Sequence, residues 1–422
     1  MQNNTFLIFL KEKKIFIYLS LYITLLLGFI FNENSTGGAL IDYNNQKYAV
    51  AAFSENFKNS FLNYEEFSTR HSPILIIILS FLYKIGFEDF IIRAIHLHIS
   101  LFLPFVFYLI LKKKFSKENE WIFIILIGLI FLSPTFRTLA IWPDSRLIGL
   151  IFFSSSVLYY LKFEKKKKFI HSVKCIFFYT LSAYFSPNFS VFSIFFMIKF
   201  INEFKVISIK NFILITLNLI LAVPALYYVF ILDINFINKS AAVGLTQEDN
   251  ILFINIFNTI LITISLIFFY LIPFIITKII HFNKLLDIKN LLFSIIIYLI
   301  LIFKFNYDYN YSGGGIIFRS SQFLFDNNIF FFIFCFFSSV ILISLLRYNY
   351  FNLLFFLLVI LSIPQYTIYH KYFDPFLIIC FFSIFNFKIY LNKIYELKNI
   401  FIIYFYFLFF LIINNLRFLW NI

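Results

Sequence analysis

The sequence predicts an all-α polytopic membrane protein, on three observations of composition and pattern. Hydrophobic residues make up 61% of the 422 residues and charged residues only 13%, whereas a soluble domain carries about 25% charged residues. Long apolar runs recur along the chain, and about 20 apolar residues span a bilayer as a helix. The basic residues lie in short clusters between these runs, as the positive-inside rule expects. We therefore interpret the net charge of +14 as a topology signal and expect no nucleic acid partner.

The first apolar run, residues 14–31, is expected to be a retained first helix. The polar stretch after it has no small-x-small cleavage pattern, so the run is not typical of a signal peptide. Lys11, Lys13 and Lys14 at its start place the N-terminus inside and the following loop outside.

A long polar outer loop, residues 32–72, comes next and is followed by a short apolar segment, residues 73–86. At about 1.5 Å per residue the short segment reaches about 21 Å, less than the roughly 30 Å apolar core of a bilayer. If it crossed, every later basic cluster would lie outside, against the charge bias. We therefore expect residues 73–86 to form a juxtamembrane helix that lies on the outer face.

The remaining apolar segments predict further crossings, for a bundle of about 13 transmembrane helices with the C-terminus outside. The predicted segments are 90–111, 121–136, 146–163, 169–186, 188–201, 211–232, 251–276, 290–305, 329–346, 351–368, 375–390 and 400–416. The whole chain, residues 1–422, is then a single transmembrane domain with no separate soluble domain. The non-basic polar residues collect in the outer patches 32–72, 137–145, 233–250, 306–328 and 369–374.

Two aspartates of the outer patches are candidate site residues. Asp42 follows two glycines in an apolar and aromatic setting, where the backbone can approach a substrate closely. It is either a catalytic carboxylate or a solvated turn residue. Asp144 directly precedes a predicted helix, so it either caps the free N–H groups of that helix or contacts substrate.

Basic and aromatic residues mark two later outer patches. Arg319 follows a tri-glycine stretch, which either cradles a phosphate through backbone N–H groups or is a plain flexible turn. No Gly-Lys-Ser/Thr follows, so the stretch is not a P-loop. His370, Lys371 and Tyr372 lie together outside, against the positive-inside bias. They either hold an anionic lipid headgroup or form an interfacial anchor belt.

The start of the juxtamembrane segment carries a motif. The residues Arg70-His71-Ser72-Pro73-Ile74 follow a long outer loop with an Asp and open an apolar half-helix. They look like the His-Pro-Pro-Leu segment of GT-C fold glycosyltransferases, such as the lipid A aminoarabinose transferases and the protein O-mannosyltransferases. Here a serine replaces one of the two prolines.

Three later features extend this resemblance: the arginine that opens the next crossing, a Pro…Asp step between the third and fourth crossings, and a late basic-Tyr…Pro motif. The corresponding residues are Arg93, Ser133-Pro134 with Asp144, and Lys371-Tyr372 with Pro375. The resemblance is architectural over most of the chain and reaches single residues over about the first 160.

The resemblance implies an inverting hexosyl- or pentosyltransferase of the bacterial plasma membrane, with its site facing the periplasm. The donor would be a polyprenyl-phosphate-linked sugar, and the acceptor a hydroxyl group of an envelope glycan, lipid or protein, with membrane lipids as further partners. Asp42 would be the catalytic general base. The substrate-binding residues would be Arg70, His71, Asp144, Arg319, His370, Lys371 and Tyr372.

No cofactor is expected, and a divalent metal is left as an option. Several GT-C relatives carry two adjacent acids in the first outer loop, whereas Asp42 is followed by Tyr43, so no metal site is predicted. The chain has three cysteines, scattered through apolar segments, and their spacing fits neither a metal site nor a disulfide framework.

Other classes of membrane protein stay open. An O-antigen polymerase or ligase usually carries its main outer loop in the second half of the chain, whereas the longest outer loop here comes first. A lipid or glycan transporter places ionisable residues near the middle of its helices and often shows internal repeats. Here most charges lie at helix ends and no repeat is visible. A structural membrane protein without activity is a further alternative.

Overall fold

The computed structural model describes residues 14–36, 38–67, 72–204, 207–231, 256–281, 287–310, 313–346, 349–364 and 367–419. The chain forms two compact units. The first consists of Met1–Phe236 and Tyr404–Ile422, and the second of Ile237–Ile403.

The described part of the first unit is helical. In chain order its α-helices are α1 (Lys14–Ile30), α2 (Gly38–Glu55), α3 (Phe57–Leu62), α4 (Ile74–Lys84), α5 (Asp89–Ser100), α6 (Phe102–Lys114), α7 (Glu120–Phe131), α8 (Pro134–Ile141), α9 (Ser145–Lys166), α10 (Phe169–Phe185), α11 (Ser193–Phe204) and α12 (Ile209–Phe230). Two 3-10 helices, Tyr64–Phe67 and Pro187–Phe192, lie between them. Helix α9 packs against α6 and α10, and α2 packs against α4.

The second unit adds helices and one small β-ladder. Its α-helices are α13 (Ile256–Ile276), α14 (Ile288–Phe303), α15 (Gly315–Phe325), α16 (Ile329–Leu346), α17 (Tyr350–Leu361) and α18 (Phe376–Ser383), and α19 (Leu397–Leu419) begins in it. Two 3-10 helices are His370–Tyr372 and Leu391–Tyr395. The two-residue strands β1 (Ile280–His281) and β2 (Lys388–Ile389) pair antiparallel. Helix α13 packs against α14, α15 and α16.

Six helical segments of the described ranges are long and apolar enough to cross a membrane, or seven if α7 and α8 form one bent span. The six are Asp89–Lys114 (α5 with α6), Ser145–Lys166, Ile209–Phe230, Ile256–Ile276, Ile329–Leu346 and Leu397–Arg417. Shorter apolar helices are Ile15–Ile30, Ile74–Lys84, Phe169–Phe185, Ile288–Phe303 and Tyr350–Leu361. The predicted class, an all-α multi-pass membrane protein, is confirmed.

The stretch interpreted as an outer loop, residues 32–72, is largely helical where it is described, because it contains α2 and α3. Ala39, Tyr43, Val50 and Phe53 recur at helical spacing and are buried, on a helix that packs against α4. Helix α4 itself lies within residues 73–86, where a short juxtamembrane helix was expected.

The predicted crossing at 121–136 is broken. Helices α7 and α8 meet at an angle of 69°. Pro134 lacks an N–H group and suits the first position of a new helix. The Ser133 hydroxyl caps that helix by accepting the N–H of Phe136 at 2.9 Å. The side chain of one serine and the ring of one proline therefore set the bend.

Two other predicted crossings are shorter than expected. The segment 188–201 begins with the 3-10 helix Pro187–Phe192 before α11 starts. Within 375–390, α18 has eight residues, which reach about 12 Å, so this helix alone is shorter than the roughly 30 Å apolar core of a bilayer. The backbone N–H of Asn386 donates to Asn352 Oδ1 at 2.7 Å, so the chain leaves the helical path after Ser383.

Helix α12 is an almost uncovered apolar helix, with 6% of its span buried within the structure. Pro224 lies inside it, and a proline opens the hydrogen-bond ladder of a helix. The Tyr184 hydroxyl fills the opening: it donates to the carbonyl of Leu221 at 2.6 Å and accepts the N–H of Ala225 at 3.2 Å. Tyr184 thus replaces one helical hydrogen bond and fixes α12 to α10.

Replacing Tyr184 with Phe is expected to lower the free energy of unfolding by about 1–3 kcal/mol, because it leaves a backbone donor and acceptor without a partner. The measurement is unfolding by titrated denaturing detergent, followed by circular dichroism. Tyr48→Phe is the matched control, since Tyr48 is 74% exposed. Equal stability of the two variants would mean that Tyr184 does not hold the helix.

Candidate functional site

The tri-glycine stretch of the second unit forms a constrained turn. Gly313, Gly314 and Gly315 have φ of +95°, +85° and +76°, a region that residues with a Cβ rarely adopt. The N–H of Gly314 donates to the carbonyl of Ile368 at 2.9 Å. A Cβ at Gly313 would lie 2.8 Å from that carbonyl oxygen. Glycine is therefore required both by conformation and by the close approach of a second segment.

Arg319, on α15, stabilises this turn through two hydrogen bonds. Its Nε donates to the carbonyl of Gly313 at 2.6 Å, and its Nη1 donates to the carbonyl of Tyr309 at 2.7 Å. The guanidinium also lies over the ring of Tyr309, 4.7 Å from the centroid. The residue is half-buried, so a positive charge is held in a fixed orientation at the edge of the turn.

His370 is a neutral member of the site. Its Nε2 shares a hydrogen bond with the Tyr270 hydroxyl. The ring of Phe269 packs against the imidazole, with 5.7 Å between the two ring centroids. Loss of hydration lowers the pKa of His370 to about 3. At neutral pH the ring is therefore uncharged and can hydrogen-bond, but it supplies no positive charge to a phosphate.

Lys371 and Tyr372 follow in the same 3-10 helix and are half-buried. The Lys371 ammonium lies 5.2 Å from the ring centroid of Tyr369, and the ring of Tyr372 packs edge-on to the same tyrosine at 5.9 Å. The hydrogen bond between Gly314 and Ile368 joins the segment that carries Arg319 to the segment that carries Lys371. Four candidates from two distant stretches of sequence thus belong to one connected structure within the second unit.

Asp42 lies on α2 of the first unit, on a helix and not in a loop. It is half-buried and flanks the buried face that includes Tyr43. The Tyr43 hydroxyl donates to Asp89 Oδ1 at 2.6 Å, and the Lys47 ammonium lies 3.2 Å from the same oxygen. Burial, together with Asp89, raises the pKa of Tyr43. These contacts hold the helix that carries Asp42 against Asp89 of α5.

Asp144 is the N-cap of α9, as one of the two sequence interpretations expected. Its Oδ1 accepts the backbone N–H of Arg146 at 2.6 Å, and the residue is buried, with 3% of its surface exposed. The capping role is confirmed. The two remaining candidates, Arg70 and His71, lie outside the described residues.

A buried ion pair was missed by the sequence reasoning. Arg137 on α8 holds Glu33 through two donors, with Nε 2.8 Å from Oε1 and Nη2 2.5 Å from Oε2. The two side chains are 8% and 11% exposed. Nη2 also donates to the carbonyl of Thr24 on α1 at 2.8 Å. An arginine just after a predicted crossing, in a patch that the sequence predicts to be outside, was the signal that could have identified it.

Arg93, which matches a family arginine in the resemblance, is part of the same network. It donates to Asn32 Oδ1 at 2.8 Å and to the carbonyl of Ile141 at 3.2 Å. Its guanidinium lies 3.7 Å from the ring centroid of Trp142, whose Nε1 donates to the carbonyl of Glu33 at 3.0 Å. These contacts connect α5 to the end of α8 and to the start of residues 32–72, the stretch that was expected to be an outer loop.

Within the described ranges, no group of three or more His, Cys, Asp and Glu side chains could hold a metal ion. Cys175, Cys335 and Cys380 are buried thiols. No protein-family model, curated protein or solved structure matches the chain.

Proposed function

We propose that the chain is a membrane glycosyltransferase of GT-C type, with about 13 crossings. It would move a sugar from a polyprenyl-phosphate donor to a hydroxyl acceptor on the extracytoplasmic side of a bacterial plasma membrane. A multi-pass helical body suits such a donor, since a polyprenyl tail stays in the bilayer while its headgroup reaches the surface.

One observation carries the proposal: the glycine turn holds Arg319 beside the segment of Lys371. Arg319 is clamped by two carbonyls and Lys371 lies against an aromatic ring, so both cations are oriented before a ligand arrives. Preorganised positive charge stabilises the charge that develops on a leaving phosphate. Lys and Arg are enriched in cytoplasmic loops, so cations at a helix end that is predicted to be outside indicate a specific role there.

The proposed reaction is an in-line substitution at the anomeric carbon of the sugar. The acceptor oxygen forms a bond to that carbon while the carbon–oxygen bond to the lipid phosphate breaks. The phosphate leaves with the electron pair, and Asp42 takes the acceptor proton. The leaving group needs charge stabilisation more than protonation, and the proposal gives that task to Arg319 and Lys371.

For His370 we propose a positioning role in place of the substrate-binding role that the resemblance implies. Because it is uncharged at neutral pH and hydrogen-bonded to Tyr270, it is proposed to orient the segment before Lys371. Tyr372 and Asp144 stay substrate-binding proposals.

A transporter is the second candidate, and one observation favours it. The 69° break between α7 and α8 is of the kind found where transporters bind substrates at discontinuous helices. Against it, the charged residue of α8, Arg137, is engaged by Glu33 and by backbone carbonyls, as a structural arginine is. Release of lipid phosphate from a sugar donor separates the two classes, since a transporter moves its substrate unchanged.

Replacing Lys371 or Arg319 with Gln is expected to raise the KM for a polyprenyl-phosphate sugar by about 10- to 150-fold. Hydrogen bonds to charged groups contribute about 1.5–3 kcal/mol, which corresponds to that range. The measurement is transfer of radiolabelled sugar by the purified protein in lipid nanodiscs. Lys393→Gln is the control, because Lys393 is exposed and paired with Glu396. If both variants match this control in KM and elute as intact protein on size exclusion, the donor phosphate binds elsewhere.

A further inference from the structure

Three helix ends meet at one end of the first unit. Helices α6 and α9 end there in lysines, α10 begins there, and α9 packs against both neighbours. Four lysines of these ends, Lys113, Lys162, Lys166 and Lys174, are here named the lysine patch. The outer-site proposal uses none of them.

The four lysines are close enough to repel one another. Lys162 interacts electrostatically with Lys113, Lys166 and Lys174. The ammonium groups of Lys162 and Lys174 lie 4.3 Å and 5.4 Å from the ring centroid of one tyrosine, Tyr159. The patch therefore concentrates positive charge around an aromatic ring.

Nearby carboxylates do not neutralise the patch. They pair with other lysines of the same end: Glu120 with Lys112 at 2.7 Å, Glu203 with Lys167, and Glu164 with Lys199 at 3.7 Å. Across the part of the chain that the structure describes, no carboxylate lies within ion-pair distance of the four lysines.

Two of the four lysine residues are also partly shielded from water. Lys113 and Lys162 are half-buried, and charges taken out of water are normally paired. Lysines at the C-terminal ends of helices do complement the helix dipole, but that effect extends over the last turn only. Lys174 lies in the second turn of α10, where the helix dipole does not stabilise a cation. The dipole therefore accounts for Lys113 and Lys166 but not for Lys162 and Lys174, and an external anion accounts for these two.

We propose that the lysine patch binds the headgroup of an anionic phospholipid that carries two or more negative charges. Three of the four lysines lie near the C-terminal ends of two helical segments that qualify as membrane spans, Asp89–Lys114 and Ser145–Lys166. The ends of membrane spans lie at the depth of the headgroup phosphates. Tyr159 lies one turn further into the same span, where tyrosine suits the interface between headgroup and acyl chain. The inference does not depend on sugar transfer.

The test is lipid retention by the purified full chain. The protein in mild detergent is titrated with cardiolipin, phosphatidylglycerol or phosphatidylcholine, and bound lipid is counted by native mass spectrometry. We expect cardiolipin to bind most tightly. The double variant Lys162→Gln/Lys174→Gln is expected to bind it about 30-fold more weakly, since each lysine near an anionic surface contributes about fivefold, or about 1 kcal/mol.

Lys112→Gln/Lys167→Gln is the matched control, since it removes two charges from the same end but from acid-paired lysines. Lys162→Arg/Lys174→Arg keeps both positive charges and should bind cardiolipin like the unmodified protein. Such binding would show that the glutamine variant binds weakly because it lacks the charges. Equal loss in the glutamine variant and the control would overturn the proposal, because retention would then follow net charge alone. Inorganic pyrophosphate that displaces cardiolipin at equal concentration would overturn the lipid as the ligand and leave a soluble phosphate in its place.

Discussion

Replacing Asp42 with Asn is expected to abolish nearly all sugar transfer while the protein still folds and binds donor. Asn has almost the same shape as Asp but cannot accept a proton at neutral pH. Loss of a general base typically costs about 10²–10⁴-fold in rate. The loss should fall on kcat and leave the KM for the donor nearly unchanged, because the base acts in the transition state. The measurement is steady-state transfer in nanodiscs with a radiolabelled donor.

The same helix supplies the control for Asp42. Glu55 is the last residue of α2 and is exposed, so Glu55→Gln makes the same change of acid to amide without approaching the buried face. It should stay active. Asp144→Asn is the second comparison, since Asn caps a helix about as well as Asp and the fold should survive. An active Asp42→Asn protein beside an inactive Asp144→Asn protein would move the base to Asp144.

The structure also removes one competitor for the role of base. Glu33 lies at the start of residues 32–72, but its carboxylate is hydrogen-bonded to Arg137 and shielded from water. An acceptor hydroxyl would have to displace an arginine to reach it.

Local patterns predicted the features that depend on local physics. Asp144 before a helix satisfies N–H groups two residues away, so residue type and position were sufficient to suggest the cap. The short helix α4 follows from an apolar run between a proline and a glycine. The membrane class follows from composition, because a chain with 13% charged residues cannot cover itself with a wet surface.

The helical nature of α2 was missed although its signal was present. Its buried residues Ala39, Tyr43, Gln46, Val50 and Phe53 are spaced by three or four, which is the period of a helix. The polar residues between them suggested a loop. What decides the structure is packing against α4, which propensity along the segment does not reveal.

The charged and glycine-rich parts of the candidate site depend on partners far along the chain. The tri-glycine turn needs positive φ because the backbone of Ile368 approaches it. His370 looked like a cation beside Lys371, but contact with Tyr270 and Phe269 keeps it neutral. Arg137 meets Glu33 across 104 residues. Sequence spacing could mark these residues as unusual, but only the fold pairs them.

Removing the guanidinium of Arg137 is expected to be the most destabilising single change in the first unit. Arg137→Ala would leave the Glu33 carboxylate buried without its partner, and breaking a buried ion pair costs about 3–5 kcal/mol. It would also release the carbonyl of Thr24, so α1 would lose a contact to α8. The measurement is the free energy of unfolding in titrated denaturing detergent, compared with the unmodified protein.

Two comparisons separate the buried ion pair from a general effect of charge. Lys112→Ala removes the partner of Glu120, and that pair is 55% and 43% exposed, so its loss should cost far less than the loss of a buried pair. Arg137→Ala/Glu33→Gln removes both charges, and because no unpaired carboxylate remains, it should recover part of the lost stability. Gly28→Ala approaches the same pair from another side, since a methyl group there would overlap the Glu33 carboxylate, and it should destabilise as well. If Arg137→Ala were no worse than Lys112→Ala, the pair would contribute to the fold no more than a surface contact does.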